Sequence, residues 1–155
     1  MQYREQATFY RATLLLGLVT CETVVEWAEE TVAREASVPH ELLEVLLAAP
    51  GDLTALRFAL QPLADEKESP AVVRSVFLIV LHDLNSGKRN AKDSVTILSQ
   101  IRRNLAISAT VSDEIDTLED DFMLANAGVT GDVASVEQRV REWLAQFSAA
   151  GETTP

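Results

Sequence analysis

Three places in this chain hold side chains able to do chemistry. The first is Cys21, the only cysteine, inside "LLLGLVTCETVVEWAEE" at residues 14–30. A thiol in the first turn of a helix gains thiolate character from the helix dipole. No His or Lys lies nearby in sequence, however, and Cys21 shares a helical stripe with Val25 and Ala28, so packing as a small apolar side chain is the expectation. The second is His82-Asp83, which ends the apolar run "VFLIVLHDLNSGKR" at residues 76–89, with His40 upstream. Imidazole and carboxylate together suit divalent metals that activate water. The third is "SDEIDTLEDD" at residues 112–121, where Asp113, Glu114, Asp116, Glu119, Asp120 and Asp121 give six acids and no base. There is no Gly-rich phosphate loop, Gly-x-Ser-x-Gly elbow or His-Glu-x-x-His, which disfavours an enzyme.

The His-Asp pair resembles the second motif of the HD superfamily of metal-dependent phosphohydrolases, an apolar helix ending in these two residues. The resemblance implies an all-helical fold in which His40, His82, Asp83 and one of Asp113, Asp116 or Asp120 hold one or two divalent metals for attack on a phosphoester. The chain departs from that pattern in two ways. The Gly that follows the pair comes late, at Gly87, and an extra helix is expected between His40 and His82. Read by itself, a His in a last helical turn interacts well with the dipole, and Asp83 is then an exposed neighbour. No metal or other cofactor is expected on this reading.

For the acidic strip, two readings stand side by side. Lys88, Arg89, Lys92, Arg102 and Arg103 lie on the preceding helix and its lead-in, so antiparallel packing could pair basic and acidic faces within the molecule. Otherwise the whole strip, Asp113, Glu114, Asp116, Glu119, Asp120 and Asp121, is the candidate partner-binding site, free to engage a basic protein.

The elements that must position these residues are helices. Apolar residues recur at a period near 3.6 throughout, and no stretch alternates as a half-buried strand does. The first helix is expected from Tyr3 to Leu18, and Thr20 caps a second with Cys21, Val25, Ala28 and Val32 on one face. A third runs from His40 to Ala49 with Pro39 in its first turn. Asp52 caps a fourth, and Ser69-Pro70 opens a fifth, Pro70 to Asn85, that is apolar on nearly all sides. A sixth follows "NSGKRN", Ser112 caps a seventh, and Gly128 and Gly131 frame the turn before an eighth. About eight antiparallel helices, as a compact bundle or a short stack of helical pairs, give a single all-α domain over 1–148 with a frayed tail at 149–155.

With 47% hydrophobic and 24% charged residues in 155, the chain sits in the globular range and is long enough to bury roughly two thirds of its unfolded surface. Its net charge of −11 repels phosphate backbones and anionic headgroups, so neither nucleic acid nor membrane is an expected partner. The most apolar run, Val72 to Leu81, contains Arg74 and is half the ~20 residues of a spanning helix. A single cysteine cannot form an internal disulfide, which fits a cytoplasmic setting. Arg4 and Arg11 before Ala12 to Val19 sketch a lipoprotein signal ending at Cys21. Glu5, Thr20 and the helical period of Tyr3, Ala7, Tyr10, Leu14 and Leu18 favour an ordinary amphipathic helix instead.

Residues 14–47, a Leu-rich helix end, Thr cap, Glu-rich Trp helix, Pro and Leu-rich helix, resemble the opening of small acidic all-helical bacterial proteins, some of which are toxin immunity proteins. That resemblance implies tight binding of a partner by an acidic face and assigns no site residues. The sequence therefore reads as a non-catalytic protein-interaction module with a basic protein partner. A metal-dependent phosphohydrolase of HD type and a structural helical homodimer subunit are the alternatives.

Overall fold

A computed structural model describes residues 3–48 and 50–149. Regular structure among them is α-helical throughout: α1 (Tyr3–Leu15), α2 (Cys21–Arg34), α3 (His40–Leu47), α4 (Leu53–Leu60), α5 (Pro70–Asn85), α6 (Ala91–Asn104), α7 (Ala109–Asn126) and α8 (Val133–Ala149). The all-α expectation holds, and no strand occurs among the described residues.

Short polar side chains start most of these helices by accepting a bond from a first-turn N–H that has no intrahelical partner. Thr20 accepts from Thr23 N at 3.3 Å, Asp52 from Ala55 N at 2.9 Å, Ser69 from Val72 N at 3.2 Å, and Asn90 from Asp93 N at 2.9 Å. The cap of α7 is Ser108, whose Oγ accepts from Val111 N at 3.2 Å. Ser112, expected in that role, lies one turn inside the helix, because Ala109 to Val111 already adopt helical geometry behind the earlier serine. Pro39 sits just before α3 and makes no side-chain cap bond. That helix ends at Leu47, and Ala49, to which it was expected to run, lies outside the described residues.

The first helix stops at Leu15, three residues short of the expected Leu18. Gly17 takes the left-handed conformation (φ 65°), and Leu18 N donates to Thr13 O at 2.8 Å while Gly17 N donates to Leu14 O at 3.2 Å. This closure satisfies carbonyls that would otherwise be orphaned, and it needs a residue without a Cβ. Of the expected tail, Ala149 closes α8, and residues 150–155 lie outside the described residues.

Within the stretch read as one domain the chain gathers into two compact units, Met1–Val72 and Val73–Pro155. In the first, α1 packs on α2 and α4, and α3 packs on α2 and α4. Its core holds Ala7, Leu14, Val24, Trp27, Leu42, Val45, Leu56 and Leu60. The buried face of α2 is Val24, Trp27, Ala28 and Thr31, one step round from the expected stripe; Cys21, Val25 and Val32 flank it half-buried. Aromatic bulk decides that rotation, since Trp27 stacks against Tyr10 at 4.9 Å and still places its indole N–H on Gln6 Oε1 at 3.2 Å. Buried threonines donate within their own helices, Thr31 Oγ1 to Trp27 O and Thr8 Oγ1 to Arg4 O, and Thr8 also accepts from the distant Asp65 N at 2.7 Å.

In the second unit α6, α7 and α8 all pack on one another. Ile101, Ile115, Val140 and Leu144 are fully enclosed. Phe77 of α5 meets Phe147 at 4.5 Å and Trp143 at 5.3 Å, and Arg74 Nε donates to Phe147 O at 2.6 Å. From Val72 to Leu84 only His82 is exposed, as the nearly all-round apolar sequence of α5 requires.

Candidate functional site

The acidic strip lies on α7, and its six carboxylates divide by where the helix turns them. Ile115, Leu118 and Ala125 are buried. On the flanks of that buried face four acids find partners inside the unit. Asp116 pairs with Arg102 Nη1 at 2.7 Å, and Glu119 takes Arg102 Nη2 at 3.2 Å and the Ser99 hydroxyl at 3.1 Å. Asp121 pairs with Arg139 at 2.6 Å, and Glu114 accepts the Trp143 indole N–H at 2.8 Å. Asp113 and Asp120 make no ion pair among the described residues and are exposed. Spaced seven residues apart, they fall on one line of the helix with Thr117 and Leu124, and all four face solvent. Met123 lies beside this ridge, 59% exposed.

Of the basic residues that sequence proximity suggested for the strip, Arg102 takes two acids. Arg103 instead donates to Ser99 Oγ at 2.6 Å, and Lys88 and Arg89 turn to Asp83. Arg139 and Trp143 had not been anticipated as partners. They stand 18 and 29 residues from the acids they meet, so only the packing of α8 on α7 brings them there.

At the end of α5 the side chains of His82 and Asp83 point to different surroundings. His82 is exposed, whereas Asp83 is only 2% exposed, contrary to the expectation that it faces solvent. Its carboxylate takes Arg89 Nε at 2.9 Å and Lys88 Nζ at 3.5 Å, and its carbonyl accepts from Arg89 N. A buried carboxylate needs a partner, and the basic residues of "NSGKRN" supply it by folding back over the helix end. His40, in the first unit, is exposed and bonds to Glu44 at 3.1 Å. Among the described residues no three of His, Cys, Asp and Glu come together as a divalent metal would need.

Cys21 is half-buried against the core of the first unit. It lines a groove of about 310 Å³ in which the charged neighbours are Glu22, Glu26 and Glu29, all acids. Glu22 is held below the usual carboxylate range by its own backbone N–H and by the Thr20 hydroxyl. The cationic neighbour that activates a thiol is absent from that lining.

No family model, curated protein or solved structure matches this chain. Among the described residues no helix is long and apolar enough to cross a membrane.

Proposed function

We propose that this chain is a non-catalytic interaction module that binds a basic protein partner through the outer ridge of α7. One observation carries the reading: Asp113 and Asp120 stand in line on the exposed face with no ion pair among the described residues, Leu124 continues that line, and Met123 beside it adds apolar surface. Free carboxylates beside exposed apolar side chains make a surface that attracts a cationic partner and then has something to bury against it. The internally paired acids play a different part. Asp116 and Glu119 hold α7 to α6, and Asp121 and Glu114 hold it to α8, so the ridge is presented on a rigid support. Binding of a toxin, which the resemblance of residues 14–47 implies, is the specific form of this reading.

Site-specific cross-linking tests it. A photoreactive side chain at position 124, within reach of Asp120, should capture a protein of basic character from the native cell extract, and capture should fall when Asp113 and Asp120 are replaced by Asn. Equal capture by a probe placed on Gln100, which is exposed on α6, would contradict the assignment.

A further inference from the structure

A second exposed surface lies in the first unit, and it is a groove where the α7 surface is a ridge. Between α3 and α4 runs a groove of about 560 Å³. Phe58 and Leu47, which line it, are 77% and 75% exposed, the two highest values for large apolar side chains among the described residues. Ala55 and Ala59 leave room between them. Folding does not require this exposure. In α3, Leu42 and Val45 supply the core, and in α4 Leu56 and Leu60 do so, while Leu47 and Phe58 are turned away from it. Scattered exposed apolar residues need no explanation, but two long ones facing the same groove do.

The charge around the groove is of one sign. Glu41, Glu44 and Asp52 are its only charged lining residues. Glu41 and Asp52 have no ion pair among the described residues, and Glu44 meets the His40 ring. The smaller groove on the other side of α3, which shares Ala48 with this one, carries Glu22, Glu26 and Glu29. Over residues 1–72 there are twelve acids and five bases. Anionic lipid and nucleic acid are repelled by such a rim, and so is a second copy of a chain that carries −11.

We infer that the α3–α4 groove receives a basic amphipathic helix of a partner protein, its apolar stripe seated on Phe58 and Leu47 and its Lys and Arg side chains on Glu41, Glu44 and Asp52. Helix in groove is the recognition mode this geometry allows. Two helices of eight residues, each about 12 Å long, form a cradle matched to two or three turns of a third. Strand addition has no edge to use, since no strand occurs among the described residues. This inference stands on residues 41–62 and does not depend on the α7 ridge.

The test uses the full chain and a fluorescein-labelled 18-residue peptide of Leu, Lys and Ala with leucines at i, i+3, i+4 and i+7 and lysines opposite. Its control is a peptide of the same composition with the stripe scrambled. Anisotropy titrations should show the amphipathic peptide binding at least tenfold tighter than the scrambled one and gaining helicity on binding. Phe58→Ala and Leu47→Ala should each weaken it about tenfold, as truncation of anchor residues does. Glu41→Gln with Glu44→Gln should weaken it at low salt and flatten its salt dependence. Both apolar residues are solvent-exposed, so the variants should keep the wild-type circular dichroism. Asp113→Asn with Asp120→Asn should leave this titration unchanged, which separates the groove from the ridge. Equal binding of both peptides, indifference to Phe58→Ala and Leu47→Ala, or a dimer in light scattering that these substitutions dissolve would each overturn the assignment.

Discussion

Replacing Asp83 by Ala separates a structural ion pair from a metal ligand. The side chain of Asp83 is 3% exposed and receives Arg89 Nε at 2.9 Å. A hydrogen bond to a charged group at such a site contributes about 1.5–3 kcal/mol. Lys88 is 61% exposed and 3.5 Å away, so it adds at most about 1 kcal/mol. Stranding a fully buried charge costs more, about 3–5 kcal/mol, but Arg89 is 21% exposed and can turn part of its guanidinium to water. The expected loss for Asp83→Ala is therefore about 2–3 kcal/mol. In a chain of this size it should lower the melting temperature by about 4–12 °C, read by circular dichroism. Asp83→Asn keeps the volume and one acceptor and should cost roughly half as much, about 1–1.5 kcal/mol. A metal-binding Asp83 would behave differently: the wild-type protein would hold a divalent cation, its melting temperature would fall on chelation, and Asp83→Ala would abolish both the bound cation and that response. That pair of results would refute the ion-pair account.

Three further outcomes follow from local geometry. Ser94 is fully buried in α6, and its hydroxyl has no partner among the described residues, so Ser94→Ala should leave stability unchanged or raise it by up to about 1 kcal/mol in urea unfolding; a clear loss would reveal a partner for that hydroxyl. Asp132, which accepts from Ser135 N and its hydroxyl ahead of α8, is held below its ordinary 3.8 by those bonds. Its folded form thus binds a proton less readily than the unfolded chain, and its contribution is complete at neutral pH and lost as pH falls through the lowered value. Carbon NMR of that carboxyl should titrate below 3.8, and titration above it would contradict the capping role. Cys21→Ser should change stability modestly and abolish no binding, while rapid modification of the native thiol by a thiol reagent would show a reactivity that its acidic surroundings do not supply.

The helices were legible because their starts are written in short polar residues. Thr20, Asp52 and Ser69 cap where the sequence places them, and α5 is enclosed as its apolar circumference requires. Errors arose where two local signals compete or where distance in the chain hides a contact. Ser108 and Ser112 are both able to cap, and nothing in the residues between them breaks a helix, so the earlier one wins. Gly17 is the stop signal inside the first apolar run, and the apolar period carries on past it to Leu18 although the helix does not. Asp83 reads as exposed from helix position alone, and its burial depends on the return of Lys88 and Arg89 around the turn. The division of the acidic strip was legible only as far as Arg102, since Arg139 and Trp143 come from a helix whose packing on α7 is a tertiary fact. The α3–α4 groove left little trace, because Leu47 lies within a Leu-rich run and the one signal at α4 is that Phe58 falls off the helical face that Leu56 and Leu60 share.

The most direct test of the interaction claim is the association rate of the partner identified by cross-linking and then purified free, measured by stopped flow at two salt concentrations with two paired variants. Asp113→Asn with Asp120→Asn removes the outward charges and should slow association, flatten its salt dependence and leave stability within about 0.5 kcal/mol, because rim charges act through encounter and these two carboxylates make no ion pair among the described residues. Asp116→Asn with Glu119→Gln removes the pairs to Arg102 and should lower stability, by at most about 1 kcal/mol for each partly exposed pair, with the association rate nearly unchanged. An association rate indifferent to salt and to the loss of Asp113 and Asp120 would contradict the acidic ridge as the binding surface.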